Sequence, residues 1–192
     1  VNTVYMHDGA VCGTNTDGIG FIRNLEAGAP QWRASDGPAI VLGAGGAARA
    51  VVAALTDAGV PDVRITNRTR ARAEALANRF GPAATAHDWS TREDILADGA
   101  LLVNTTTLGM TGAPPRDIAL DRLSEAAVVC DIVYAPLDTD LLVRARARGN
   151  PVVDGLGMLL HQAAPGFALW FGVVPDVTDE LRALIVADLE AR

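Results

Sequence analysis

The chain has 192 residues, 49% of them hydrophobic and 20% charged, which is the balance of a soluble globular protein and excludes a disordered or fibrous chain. No apolar run approaches the roughly 20 residues that a membrane-spanning helix needs, and two cysteines, Cys12 and Cys130, are too few for a disulfide framework, so a cytoplasmic protein with no membrane partner is expected. A net charge of -7 argues against a surface built for non-specific nucleic-acid binding, and all 16 basic residues are arginine, so these residues alone cannot complete any chemistry that needs a lysine.

In chain order, segment 1–6 alternates and is β-rich, His7-Asp8-Gly9 is a turn signal, and 10–13 can return as a second strand, which predicts a hairpin. Thr16-Asp17 offers a cap before a helix over 18–27, where Ile19, Phe21, Ile22 and Leu25 supply the apolar positions. Segment 28–38 carries Gly, Pro, Ser and Asp without periodicity and reads as a domain boundary. From Ala39 the pattern becomes short apolar runs at 39–42, 62–66, 101–103, 127–133 and 151–153, separated by helical stretches at 46–58, 70–80, 91–97 and 138–148. Continuous apolar strands interleaved with helices predict an α/β fold, a Rossmann-type doubly wound parallel sheet of about six strands. After Gly155, segments 158–171 and 177–190 read as helices, so the chain divides at 1–27, 28–155 and 156–192. Both cysteines read as small core residues, and Trp32, Trp89 and Trp170 as packing residues. No His or Cys pair has metal-ligand spacing, so no metal is expected, and His161 reads as structural.

Gly43-Ala44-Gly45-Gly46-Ala47-Ala48 satisfies G-x-G-x-x-A directly after a strand and directly before a helix. The first glycine permits the tight turn, the second lets backbone approach a pyrophosphate, and the closing alanine keeps helix and strand together, with helix amides aimed at the anion. An NAD-selective fold usually ends the next strand with a carboxylate for the ribose 2′-hydroxyl. Here that strand ends Asn67-Arg68-Thr69, with no carboxylate and with Arg72 nearby, so the guanidinium of Arg68 favours a 2′-phosphate and NADP. Arg70 and Arg79 read instead as solvated helix charges, with Glu74 a candidate partner. The loop Asn104-Thr105-Thr106-Thr107 follows a strand end where ligands of open α/β sheets bind, and Thr105 and Thr106 can border the nicotinamide ribose. The same rule singles out Tyr134 and Gly155.

Taken together, 1–4, Gly13-Thr14-Asn15-Thr16-Asp17-Gly18, the glycine loop, Asn67-Arg68-Thr69, 104–110, 131–134 and Asp154-Gly155-Leu156-Gly157-Met158-Leu159 with Gln162 resemble the shikimate dehydrogenase family in order and spacing. The resemblance implies a substrate lobe and a Rossmann lobe for NADP. It makes 1–27 a remnant of the former, 28–155 the latter, and 156–192 helices that return toward the first lobe. It further implies reversible oxidation of the C3 hydroxyl of shikimate to 3-dehydroshikimate by a Lys and an Asp. Asp17 matches the Asp, Tyr134 and Gln162 match substrate contacts, Asn15 lies beside the catalytic position, and Ile132, Gly155 and the glycine loop match cofactor contacts.

The family's Lys, with Ser and Asn residues that hold the substrate, belongs to a stretch that should precede Val1. The sequence therefore reads as part of a longer protein, inactive by itself, with apolar surfaces open to self-association. Without the resemblance, Asp17 reads first as a helix cap, and a cap can also fix a catalytic carboxylate. Two other readings stand beside an NADP-dependent shikimate dehydrogenase. One is a quinate/shikimate dehydrogenase, whose members can prefer NAD, and the other is a non-catalytic NADP-binding or regulatory module.

Overall fold

A computed structural model describes residues 1–114 and 117–191, so the last position of the expected unit 156–192 lies outside the described residues. The chain opens with strands β1 (Thr3–His7) and β2 (Ala10–Thr14), paired antiparallel with Tyr5 opposite Cys12. Asp8 and Gly9 between them both have positive φ, 48° and 78°. That is the backbone a two-residue hairpin turn requires to match strand twist. Helix α1 (Asp17–Gly28) follows and buries Phe21 and Leu25, four residues apart on one face.

The six remaining strands form one parallel sheet: β3 (Ala39–Leu42), β4 (Val63–Thr66), β5 (Ala84–His87), β6 (Leu101–Asn104), β7 (Val128–Asp131) and β8 (Val152–Val153). Their order is β5-β4-β3-β6-β7-β8, so the chain reverses direction across the sheet between β3 and β6. Helices α2 (Gly46–Asp57), α3 (Arg70–Ala77) and α4 (Asp140–Ala147) cover the sheet together with α1, α5 (Leu156–Phe171) packs chiefly on α1, and α6 (Asp179–Glu190) closes the described chain. Strands β3, β6 and β7 are buried at every position, which is why they stand out as unbroken apolar runs. Strand β5 has no such signal: its sequence Ala-Thr-Ala-His is half polar because it is an edge strand with β4 as its neighbour. The helix expected over 91–97 is replaced by two 3-10 turns, Trp89–Thr91 and Asp94–Leu96. This part of the sheet therefore receives Ile95 and Leu96 rather than a full helix.

Side-chain alternation splits the core into two layers. Val41, Ile65 and Val103 face α1, α2 and α3 through Phe21, Leu25, Val51, Val52, Leu55 and Ala73. Ile40, Leu42, Leu102 and Val129 face α4 through Leu141, Leu142 and Ala145. Each fully buried Leu, Ile, Val or Phe contributes about 1.5–3 kcal/mol over an exposed one. Helix α1 shares the first of these cores with α2. It also lies hard against α5: a Cβ on Gly20 would sit 2.7 Å from Gln162 Cβ, and one on Gly157 would sit 1.8 Å from Asn24 Oδ1.

Two packing expectations need correction. Cys130 is buried, and burial raises its thiol pKa, but Cys12 is only half-buried because the hairpin has few neighbours on that side. Trp32 is buried, whereas Trp170 is largely exposed and ties α5 to the hairpin by donating its indole N–H to the Val4 carbonyl at 2.8 Å. Trp89 lies beneath the Arg92 guanidinium, 5.0 Å from the ring centroid.

Candidate active site

At the crossing point between β3 and β6 the chain has no room for a side chain. Gly43 has φ 115°, and a Cβ there would lie 2.6 Å from Thr105 Oγ1. Beyond it, Gly45 and Gly46 face open space. Gly45 is the N-cap of α2, no side chain caps it, and the first turn contains no acidic residue. The first amides of this helix are thus unmet and positive, above two residues that let a ligand come close. Ala44 packs against the core at the loop's edge, and Ala48 is buried in it, as the motif requires. A pyrophosphate fits this cradle.

The adjacent turn after β4 closes on itself, with Asn67 Nδ2 donating to Thr69 O at 2.9 Å. Arg68 and Arg72 are exposed, and neither guanidinium has a partner among the described residues. Arg70 differs: it is held by Glu74 at 2.7 Å and by Asp88, as expected for a helix-surface charge. Two unpaired arginines remain at the strand end where a dinucleotide's 2′ substituent binds.

The loop after β6 is fixed from within. Thr105 Oγ1 donates to Leu42 O at 2.8 Å, Thr106 Oγ1 donates to Asn104 Oδ1 at 2.8 Å, and Thr106 N reaches the same oxygen at 3.1 Å. Asn104 Nδ2 in turn donates to the buried Asp131 at 2.9 Å, and Thr139 Oγ1 donates to its other oxygen at 2.8 Å. The threonine hydroxyls expected to border a ribose are therefore engaged in holding the loops after β6 and β7 together. They shape the edge of the glycine-loop cradle rather than offering it free donors.

A cleft of about 1390 Å³ opens beside this cradle. It brings together Gly46 and Ala47 from the loop, Ile132 and Tyr134 after β7, Gly155 after β8, Gln162 on α5, and Asn15 and Asp17 where the hairpin enters α1. Gly43, Ala44, Gly45, Asn67, Arg68, Thr69, Arg72, Thr105 and Thr106 are not part of its lining. Gly155 fits because a Cβ would come within 2.2 Å of the Ile132 carbonyl oxygen.

The carboxylate of Asp17 is held at both oxygens: Asn2 Nδ2 donates to Oδ1 at 2.7 Å and Asn15 Nδ2 to Oδ2 at 3.0 Å. Asp17 does not cap the helix. Thr16 takes the N-cap position and makes no side-chain cap bond; its hydroxyl oxygen accepts from Asn2 Nδ2 at 2.9 Å instead, and its hydrogen goes to the Gln162 carbonyl at 2.8 Å, which binds α1 to α5. Asp17 lies in the first helical turn instead, where the helix dipole favours a negative charge. Asn2 was missing from the residues singled out by sequence. Its Oδ1 accepts from Thr16 N at 3.0 Å while its Nδ2 reaches Asp17, and it lines the same cleft. The signal for it was the Val-Asn-Thr block, which the hairpin register brings opposite Thr14 and next to the start of α1.

His161, beside Gln162, has its pKa lowered by partial burial and then by the Arg23 guanidinium, both of which disfavour the charged ring. Among the described residues no group of three His, Cys, Asp or Glu could hold a metal ion, and no helix is long and apolar enough to cross a membrane.

Residues 29–111 match the family described as shikimate/quinate 5-dehydrogenase, and residues 155–184 match the shikimate 5'-dehydrogenase C-terminal domain. The shikimate dehydrogenase (NADP(+)) of Paramagnetospirillum magneticum is 59% identical over 188 residues, covering 97% of this chain and 68% of that protein. Among solved structures, quinate dehydrogenase from Corynebacterium glutamicum in complex with NAD superposes with TM-score 0.87 at 34% identity, covering 96% of this chain and 66% of that one. Shikimate 5-dehydrogenase from Thermus thermophilus in complex with NADP(H) and shikimate gives TM-score 0.76 at 40% identity, covering 90% and 62%. The chain spans about two thirds of the length of these relatives. With two family models matched and 59% identity to a relative over nearly its whole length, the chain belongs to the shikimate dehydrogenase family.

Proposed function

We propose that these residues carry the nucleotide site and one wall of the substrate site of an enzyme that interconverts shikimate and 3-dehydroshikimate with NADP. The observation that supports this most is the Asp17 carboxylate, fixed by two amides in the cleft that also holds the first turn of the nucleotide-loop helix. When bound, NADP supplies the hydride acceptor. Gly45, Gly46 and Ala47 would hold the pyrophosphate on helix amides, while Arg68, with Arg72, Asn67 and Thr69, would take the 2′-phosphate. Ile132 and Gly155 flank the nicotinamide end, and Tyr134 and Gln162 orient the substrate ring. Asp17 accepts the hydrogen bond of the reacting hydroxyl and takes or relays its proton as hydride leaves the carbon.

A developing alkoxide also needs a positive group, and the resemblance assigns that role to a lysine. The 192 residues contain none. The polypeptide of this sequence is expected to bind cofactor yet to show little or no shikimate oxidation on its own; turnover near that of a full-length family enzyme would refute the assignment of roles. Free thiols at Cys12 and Cys130 fit a reducing cytoplasm, where we place its action.

The NAD complex of the quinate dehydrogenase relative favours a second reading, a quinate/shikimate enzyme using NAD. Fluorescence titration with NADPH and NADH at one ionic strength separates the two. A preference for NADPH of at least about tenfold, equivalent to 1.4 kcal/mol, lost in Arg68→Ala, is expected. Equal or tighter NADH binding overturns the NADP assignment. Tight NADPH binding with no shikimate oxidation by the intact enzyme would instead favour a non-catalytic module.

A further inference from the structure

Asp154 is the last residue before Gly155, and each of its acceptor atoms serves a different helix. Its carbonyl accepts from Asn24 Nδ2 of α1 at 2.7 Å, Oδ1 accepts from the Leu156 amide in the first turn of α5 at 2.9 Å, and Oδ2 accepts from Arg182 of α6 at 2.5 Å. Gly155, the N-cap of α5, has no side chain to satisfy the helix amides, so the Asp154 carboxylate does that work from one position upstream. Both partners of the ion pair are largely shielded, with side-chain exposures of 26% for Asp154 and 35% for Arg182.

Helix α6 is otherwise loosely attached. None of its residues is buried, and its packing against the rest of the described chain is chiefly with α5. Arg182, in its first turn, is the side chain that connects α6 to the end of β8. The point it reaches is one residue from Gly155, which is wedged under the Ile132 carbonyl and donates its amide to Val133 O at 3.2 Å. Asp154 thus stands directly behind the wall of the cleft formed by Ile132 and Gly155.

We propose that Arg182 is a positioning residue for cofactor binding: by holding the Asp154 carboxylate it keeps the start of α5 and the Gly155 wedge in the arrangement that receives the nicotinamide half of the cofactor. The proposal rests on reading this cleft as a nicotinamide-nucleotide site. The contact lies at the end shared by NADPH and NADH, so it predicts an effect blind to the 2′-phosphate, unlike that of Arg68. A cation of either chemistry can clasp one carboxylate oxygen, so lysine substitutes for arginine here. Neutral glutamine does not.

The test is titration of wild type, Arg182→Gln, Arg182→Lys, Asp154→Asn and the double variant Asp154→Asn/Arg182→Gln with both cofactors, alongside hydrogen exchange. The expected result is a loss of about three- to tenfold in affinity for NADPH and NADH equally in Arg182→Gln. Arg182→Lys should bind nearly as wild type, and the double variant should be no worse than Asp154→Asn, as for two ends of one contact. Exchange should speed at the Leu156 amide while the amides of β3, β6 and β7 keep their protection. Unchanged affinity in Arg182→Gln overturns the clasp and leaves the cofactor site standing. A loss confined to NADPH, or one that comes with faster exchange throughout the sheet, overturns it too, by showing respectively a 2′-phosphate or a merely structural role. Wild type that binds neither nucleotide removes the cofactor reading, and the clasp with it.

Discussion

At residue scale, the side chains near the site divide into those spent on structure and those left for ligand. Thr105, Thr106 and Arg70 carry the right chemistry to bind a nucleotide, yet their hydrogen bonds are already made inside the protein. Arg68 and Asp17 are the reverse, the first unpaired and the second held in place by two amides. The histidines give a measurable pH dependence. Thr85 has one hydroxyl hydrogen and gives it to Asp62, so the Nε2 of His87, 3.0 Å from that oxygen, is the protonated nitrogen of a neutral ring. Burial first, then Arg64 and Arg70, lower the His87 pKa against the opposing pull of Asp62 and Asp88; burial and Arg23 lower that of His161. Both rings resist protonation when folded, whereas the unfolded chain takes up protons near the ordinary value of about 6.5. Stability is then full above that pH and falls as pH drops below it, because the unfolded state binds more protons. The urea midpoint is expected to be lower at pH 5.5 than at pH 7.5, with the difference reduced in His87→Gln and in His161→Gln. A flat profile over that range would contradict the lowered pKa of both partly buried rings.

At the scale of elements, the seam between α1 and α5 sets the cleft. Gly20 and Gly157 let the two helices approach, and buried Asn24 fills the gap and bonds to the Asp154 carbonyl. Gly157→Ala places a methyl 1.8 Å from Asn24 Oδ1, and we expect it to cost about 3 kcal/mol in denaturant unfolding. Adding Asn24→Ala should recover part of that loss by removing the clash. Additive losses in the double variant would mean that the seam is not the cause. Much of this scale was legible in the sequence wherever burial is complete: β3, β6 and β7 announce themselves because every position is buried and nearly all are apolar, and the glycine loop because its neighbours on both sides are unambiguous. What was not legible depends on partners distant in sequence. Strand β5 borrows its identity from β4, and the 89–97 segment forms two 3-10 turns in which Ile95 and Leu96 are the residues that enter the core, beside Ile118, Leu120 and Leu123 from later in the chain. Asn2 lay in a block that carries the resemblance, but its role emerged only when the hairpin register placed it beside Thr16 and Asp17.

For the whole molecule, the layers on the sheet are well filled, and much of the apolar surface that remains belongs to the hairpin and the two last helices. Trp170, Phe171 and Val174 are 56%, 65% and 71% exposed, with Leu184 of α6 and Val4 and Met6 of the hairpin also exposed. Apolar surface of this kind favours association in a polypeptide limited to these residues. Sedimentation of the 192-residue polypeptide is expected to show a concentration-dependent rise in mass that Phe171→Ser weakens. A monomer at high concentration that also fails to bind an apolar dye would rule this out. The fold class and the glycine loop were thus available from pattern alone, and so were Tyr134 and Gly155 at strand ends, whereas Asp17 and Gln162 stood out only through family resemblance, since they come from opposite ends of the chain.

That separation has a kinetic consequence. The bonds that close the cleft join residues 146 positions apart, Thr16 to Gln162, and 130 apart, Asn24 to Asp154. Neighbouring strand–helix–strand units can form early from local contacts, but closing loops of this length carries an entropy cost that must be met before any contact repays it. During synthesis the glycine loop and its neighbouring strands can therefore fold well before the cleft exists. The cleft forms once α5 has emerged to meet α1.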